Sequence, residues 1–118
     1  MSNSQTFCGP LDLYRPEFQF DATRVIQRES EIRFTFEWAE DGDRATIDGS
    51  ARLLREGFYK SPRITYDSNR EKGWCAVIYV LQAEMVSDGR LYLMGFYVEE
   101  NAGGGGVWRF EKRLDPLR

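Results

Sequence analysis

The chain has 118 residues, a formal net charge of −3 and no histidine; a chain of this length suits one domain, and the whole span 1–118 is expected to form a single core. The missing histidine removes Ser-His-Asp and Cys-His catalysis, imidazole general bases and metal sites built on imidazole, so neither a metal nor a cofactor is expected. The acidic balance, with an isoelectric point near 5.0, counts against nucleic acid and anionic membranes as partners, because both are attracted by basic surfaces.

No apolar run approaches the roughly 18 residues that a membrane helix needs. The start, Met-Ser-Asn-Ser-Gln-Thr, lacks the basic and apolar pattern of an export signal. The expected location is therefore cytoplasmic, with Cys8 and Cys75 as reduced thiols and Cys75 buried in a strand. Three tryptophans, six tyrosines and eight phenylalanines favour a pleated, half-buried surface.

In chain order, residues 1–16 read as an N-terminal arm: a polar start, then Gly9, Pro10 and Pro16 around Leu11, Leu13 and Tyr14. Phe18 and Phe20 alternate with polar residues and predict a short strand. Residues 22–29 fit either one short helix capped by Asp21 or a continuation of that strand. Ile32, Phe34, Phe36 and Trp38 alternate with Glu31, Arg33, Thr35 and Glu37, the pattern of a half-buried antiparallel strand. After the turn at Asp41-Gly42, Ala45, Ile47, Gly49, Ala51 and Leu53 repeat it, so the two runs predict a hairpin. Gly49, without a side chain to pack, predicts a bend or bulge.

Residues 55–62 read as a loop carrying Phe58, Tyr59 and Lys60, and Ile64 and Tyr66 as inward residues of a short strand. Residues 74–85 and 91–98 are apolar on both faces, so something must cover the outer one: the arm, the short helix, or a second subunit. Asp88-Gly89 separates those runs, and the four glycines 103–106 separate the second from Val107-Trp108-Arg109-Phe110. Three consecutive antiparallel strands follow from this. The fold class is all-β and mainly antiparallel: a meander barrel or strongly curved sheet of about seven or eight strands.

The four glycines lack the following helix of a phosphate loop and read as a flexible hairpin tip, a lid at most. The acids Glu37, Glu40, Asp41, Asp43 and Asp48 lack calcium-loop spacing and read as a solvated turn. Arg52, Arg55, Lys60 and Arg63 interleave with Phe58 and Tyr59, the composition of a single-strand-binding surface, set against the acidic net charge. Gln82 and Glu84 continue the face of Ala76, Ile78 and Val80. They end either near the core mouth or, if the strand bulges near Gln82, in solvent. Trp38, Trp74 and Trp108 with Tyr66 and Tyr97 either fill the core or line a pocket.

The run Leu-Tyr-Leu-Met-Gly-Phe-Tyr from Leu91, a glycine-rich turn and Trp108-Arg-Phe resemble the terminal strands of small calycin-like barrels of the lipocalin and avidin type. The resemblance covers the last third of the chain and implies a barrel mouth that binds an apolar or aromatic small molecule. The leading expectation is thus a non-catalytic ligand-binding barrel using Trp38, Tyr66, Gln82, Glu84, Tyr97 and Trp108. The alternative is an interaction module, such as an inhibitor or immunity-type protein. It would present Phe58, Tyr59, Tyr79, Tyr92 and Phe96 to a protein partner or a second copy in a homodimer. A third reading is a histidine-free cyclase or isomerase, with Glu84 as acid or base beside Tyr66 or Tyr97.

Overall fold

A computed structural model describes residues 5–13, 19–101 and 104–117. Ten antiparallel strands make one sheet: β1 (Thr6–Pro10), β2 (Asp12–Leu13), β3 (Gln19–Gln27), β4 (Glu31–Glu40), β5 (Asp43–Arg55), β6 (Phe58–Lys60), β7 (Ile64–Tyr66), β8 (Trp74–Met85), β9 (Leu91–Asn101) and β10 (Gly104–Pro116). Hydrogen-bonded neighbours run β1-β3-β4-β5-β6-β8-β9-β10. The circle closes where β10 meets β1 through Phe7↔Pro116 and Cys8↔Asp115. A closed ring removes the unpaired edges that an open sheet would expose. β2 pairs with β10, and β7 with β8.

Local chemistry explains the meander. Asp41 and Gly42 both have positive φ, 49° and 82°, and sit between the paired residues Glu40 and Asp43. That is a two-residue hairpin loop whose twist matches its strands. Pro62 cannot donate a ladder hydrogen bond, and there the strand between β5 and β8 breaks into β6 and β7. Ser61 bridges the break: its N–H donates to the Ile78 carbonyl at 2.9 Å, and its Oγ accepts from the Ile78 amide at 2.8 Å.

Two expectations are corrected here, and the choice left open after Asp21 is decided for strand continuation. Among the described residues there is no helix, and hence none long and apolar enough to cross a membrane. Residues 22–27 instead continue β3, where a bulge between Ala22 and Arg24 keeps both Ala22 and Val25 in the core. The N-terminal segment is no arm where it is described, since β1 is a member of the ring and Phe7 and Leu11 are core residues; Tyr14, Pro16 and Phe18 lie outside the described residues. Gly49 lies in unbroken register with Phe34, so it marks no bulge. A Cβ there would stand 2.7 Å from Ile64 Cδ1, and its absence lets Ile64 fill the gap between β5 and β7.

Aromatic rings fill the middle of the barrel. Phe34 stacks on Phe36 at 4.6 Å, while Phe20 meets Phe36 at 5.2 Å and Tyr97 at 5.3 Å edge-on. Phe110 completes the column against Phe36 at 5.9 Å. Ile32, Ile47, Ile78, Leu91, Leu93 and Leu114 surround it, all buried. Gly95 permits this packing, because a Cβ there would lie 1.9 Å from the Tyr79 carbonyl and 3.0 Å from the Phe110 ring.

Candidate ligand site at the acidic end of the barrel

At one end of the barrel the last residues of β4, β7 and β9 meet the first residues of β5, β8 and β10. The two-residue step that buries Phe34 and Phe36 also turns Trp38 inward, and the same step on β9 carries Leu91, Leu93, Gly95 and Tyr97 on to Glu99. Glu99 is thus an interior carboxylate, 9 % exposed. Trp38 Nε1 donates to Tyr66 Oη at 3.0 Å, the Tyr66 and Tyr97 hydroxyls are 2.5 Å apart, and each hydroxyl lies 3.2 Å from Glu99 Oε1, to which it can donate. Buried polar groups are stable only when joined in this way.

Burial pushes the Tyr66 phenol well above its usual value of 10, with the Glu99 charge adding to the effect and hydrogen bonds from Tyr97 and Trp38 opposing it. For Tyr97, burial again leads, followed by Tyr66 and Glu99, all in the upward direction. Both hydroxyls therefore stay protonated, and Tyr66 Oη accepts from the Trp38 N–H. Their effect is to hold the Trp38 indole in one orientation.

A second network shapes the rim. Asp43 Oδ2 accepts from Ser68 Oγ at 2.8 Å, and its Oδ1 accepts from the Arg44 and Arg70 amides at 3.0 and 3.1 Å. Burial works against ionisation of Asp43, yet these hydrogen bonds from Ser68, Arg70 and Arg44 hold its carboxyl below the usual carboxylate value. Trp74 Nε1 donates to Ser68 Oγ at 3.2 Å, the Asn69 amide donates to the Arg44 carbonyl at 3.0 Å, and Asp67 Oδ1 accepts from the Gly73 amide at 3.1 Å. The loop after β7 is thereby tied to the start of β5.

Between this loop and the outer ends of β3 to β5 lies a cavity of about 450 Å³, with Trp38, Asp21, Glu37, Asp67, Arg44 and Asn69 in its walls. That is the size of small-molecule sites, and a few convergent polar groups beside an aromatic wall are their usual content. Among the described residues no group of three or more His, Cys, Asp or Glu is placed to hold a metal ion.

The barrel gathers Trp38, Tyr66, Tyr97 and Trp108 at this end, with Tyr97 and Trp108 rings 6.0 Å apart and Trp38 and Trp74 5.6 Å apart. Tyr97, wholly buried, supports the site from behind. Gln82 and Glu84 do not join it. The register shifts between Val80 and Gln82, so Ala83 packs on the core while Gln82 and Glu84 face outward, 3.1 Å apart, towards the opposite end. The bulge anticipated as the alternative is the one that occurs, and Glu84 is separated from Tyr66 and Tyr97.

The expected interface residues divide as well. Phe58, Tyr79, Tyr92 and Phe96 are half-buried on the outer wall, but Tyr59 is a core residue, since its register with Leu53 and Val80 turns it inward. The glycine tip is also revised: Gly104, Gly105 and Gly106 extend β10 in pairing with β9, and Gly103 lies outside the described residues. A Cβ at Gly105 would stand 2.3 Å from the Glu99 carbonyl, and one at Gly106 2.5 Å from the Trp108 ring. These glycines serve close packing beside the site. Sequence reasoning missed Glu99, Ser68 and the cavity walls other than Trp38; continuing the β9 alternation by two residues would have found Glu99, whereas the loop contacts leave no periodic signal.

No protein-family model matches the chain, and no curated protein or solved structure matches it significantly.

Proposed function

We propose that the barrel binds a small polar molecule with an aromatic or apolar part, without converting it, in the cavity beside Trp38. The observation that carries this reading is the junction of that cavity with a buried network: Trp38 is in its wall and is held from behind by Tyr66, Tyr97 and Glu99. Preorganisation of this kind lowers the cost of binding. Asp21, Glu37 and Asp67 favour a ligand bearing hydrogen-bond donors. Binding without turnover fits the chemistry, because the raised phenols remain protonated and Glu84 stands at the far end. The free thiols Cys8 and Cys75 support a cytoplasmic setting.

A thermal-shift and tryptophan-fluorescence screen of small aromatic amines, amides and nucleosides tests the reading. Ligands are expected whose affinity falls about tenfold in Trp38→Phe, which loosens the wall by removing its bond to Tyr66, and in Glu37→Gln, which removes a charged acceptor; tenfold is roughly the loss of one hydrogen bond. A screen without binders, or binders indifferent to both substitutions, overturns it.

A further inference from the structure

The outer wall carries a second feature that the cavity leaves unexplained. Cross-strand register sets five outward residues in one row across five strands: Arg52 on β5 opposite Lys60 on β6, Lys60 opposite Tyr79 on β8, Tyr79 opposite Phe96 on β9, and Phe96 opposite Arg109 on β10. With strands about 4.8 Å apart, the row spans about 19 Å. Arg33 stands diagonally beside Arg52, since Ser50 is its partner. Tyr79 and Phe96 are half-buried in the wall, while Arg33, Arg52, Lys60 and Arg109 are exposed.

Two cations directly opposite one another destabilise a sheet, and Arg52 and Lys60 are such a pair. Among the described residues no ion pair neutralises Arg33, Arg52 or Lys60, although Glu31 lies opposite Arg52 in register. Lys60 Nζ instead lies 5.6 Å from the Tyr79 ring centre, and the Arg55 guanidinium 5.5 Å from that of Phe58. Arg109 has a loose contact at 3.5 Å with Glu111, both side chains about half exposed, which a stronger anion can displace. The acids Asp21, Glu37, Asp43 and Asp67 are collected at the other end of the same wall. Within a chain of net charge −3, four cations thus flank the two outward aromatics, with Glu31 and Glu111 as their acidic neighbours.

We infer that this row binds single-stranded nucleic acid, with bases stacked on Tyr79 and Phe96 and phosphates held by Arg52, Lys60, Arg33 and Arg109. Flat rings flanked by cations along a groove-length row are the elements of sequence-tolerant single-strand recognition. A second copy of the chain fits the row poorly, because a two-fold contact would bring the same unneutralised cations together. Duplex DNA presents no unstacked bases to the rings.

Fluorescence anisotropy of the full chain with labelled oligo-dT and oligo-U of about a dozen nucleotides tests the inference. Binding is expected at low salt, weakening with salt at a logarithmic slope of about 3, the value for roughly four neutralised phosphates on a single strand. Arg52→Gln with Lys60→Gln is expected to weaken it at least tenfold with the folded circular-dichroism signal retained. Tyr79→Ala with Phe96→Ala should weaken it at unchanged salt slope, with circular dichroism and melting confirming the fold; if that pair unfolds, Tyr79→Leu and Phe96→Leu keep the packing and remove the stacking. Absence of binding at low salt overturns the inference. So does equal binding of duplex, poly-glutamate or anionic vesicles, or indifference to loss of the rings in a folded variant.

Discussion

At the scale of single residues, the chemistry of the acidic end rests on hydroxyls that have no free choice of partner. Tyr97 is buried between Phe20, Trp108 and the Tyr66 hydroxyl, and its own O–H reaches Glu99. Removing that oxygen leaves a buried carboxylate short of a donor, which costs more than removing both partners would. Tyr97→Phe is therefore expected to destabilise the chain by about 1–3 kcal/mol in urea unfolding. Tyr92→Phe, which removes an exposed hydroxyl bonded to Glu111, is expected to stay within about 0.5 kcal/mol of the parent. Equal effects would mean that the buried chain of hydroxyls adds nothing beyond ring packing.

Among the elements, β8 shows how one extra residue reassigns a face. Ala76, Ile78 and Val80 point inward, Leu81 is accommodated as the bulge, and Ala83 resumes the inward set. Deleting Leu81 removes the extra residue, so that Val80↔Gly95 and Gln82↔Met94 become consecutive pairs while Ala83 stays inward and Gln82 and Glu84 stay outward. The expected outcome is a cooperative unfolding transition like the parent's, without the dye binding typical of exposed apolar surface. A deletion variant that loses the transition and binds the dye would show that the bulge itself, and the bend it gives β8, is needed to close the barrel. The alternation of β4 and β5 was legible from the sequence because both strands keep an unbroken period against a single core. The face of residues 82–84 was not, because a bulge has no composition of its own.

For the whole molecule, the buried phenols predict an alkaline limit. Below pH 10 a tyrosine is protonated in both folded and unfolded chains, so Tyr66 and Tyr97 leave stability unchanged there. Above it the unfolded chain releases protons that the folded barrel retains, since both folded values are raised by burial, and stability falls as pH rises from that point. Absorbance titration should show these two of the six tyrosines ionising only together with loss of the folded circular-dichroism signal. Smooth titration of all six in a folded chain would contradict the buried network.

Composition and period alone determined that this chain is an antiparallel β structure: a two-residue alternation through Trp38, an Asp-Gly hairpin and a two-sided apolar pair of strands leave little room for helix. They also placed four aromatic residues of the acidic end among the candidates. Only the tertiary structure decided that the N-terminal segment closes the ring, that Glu99 rather than Glu84 is the interior carboxylate, and that Arg52, Lys60, Tyr79, Phe96 and Arg109 share one row. Each of those depends on register between strands distant in sequence, which is set by how side chains pack across the barrel. Local pattern carries the face of a strand, while the partner opposite each residue exists only once the ring is closed.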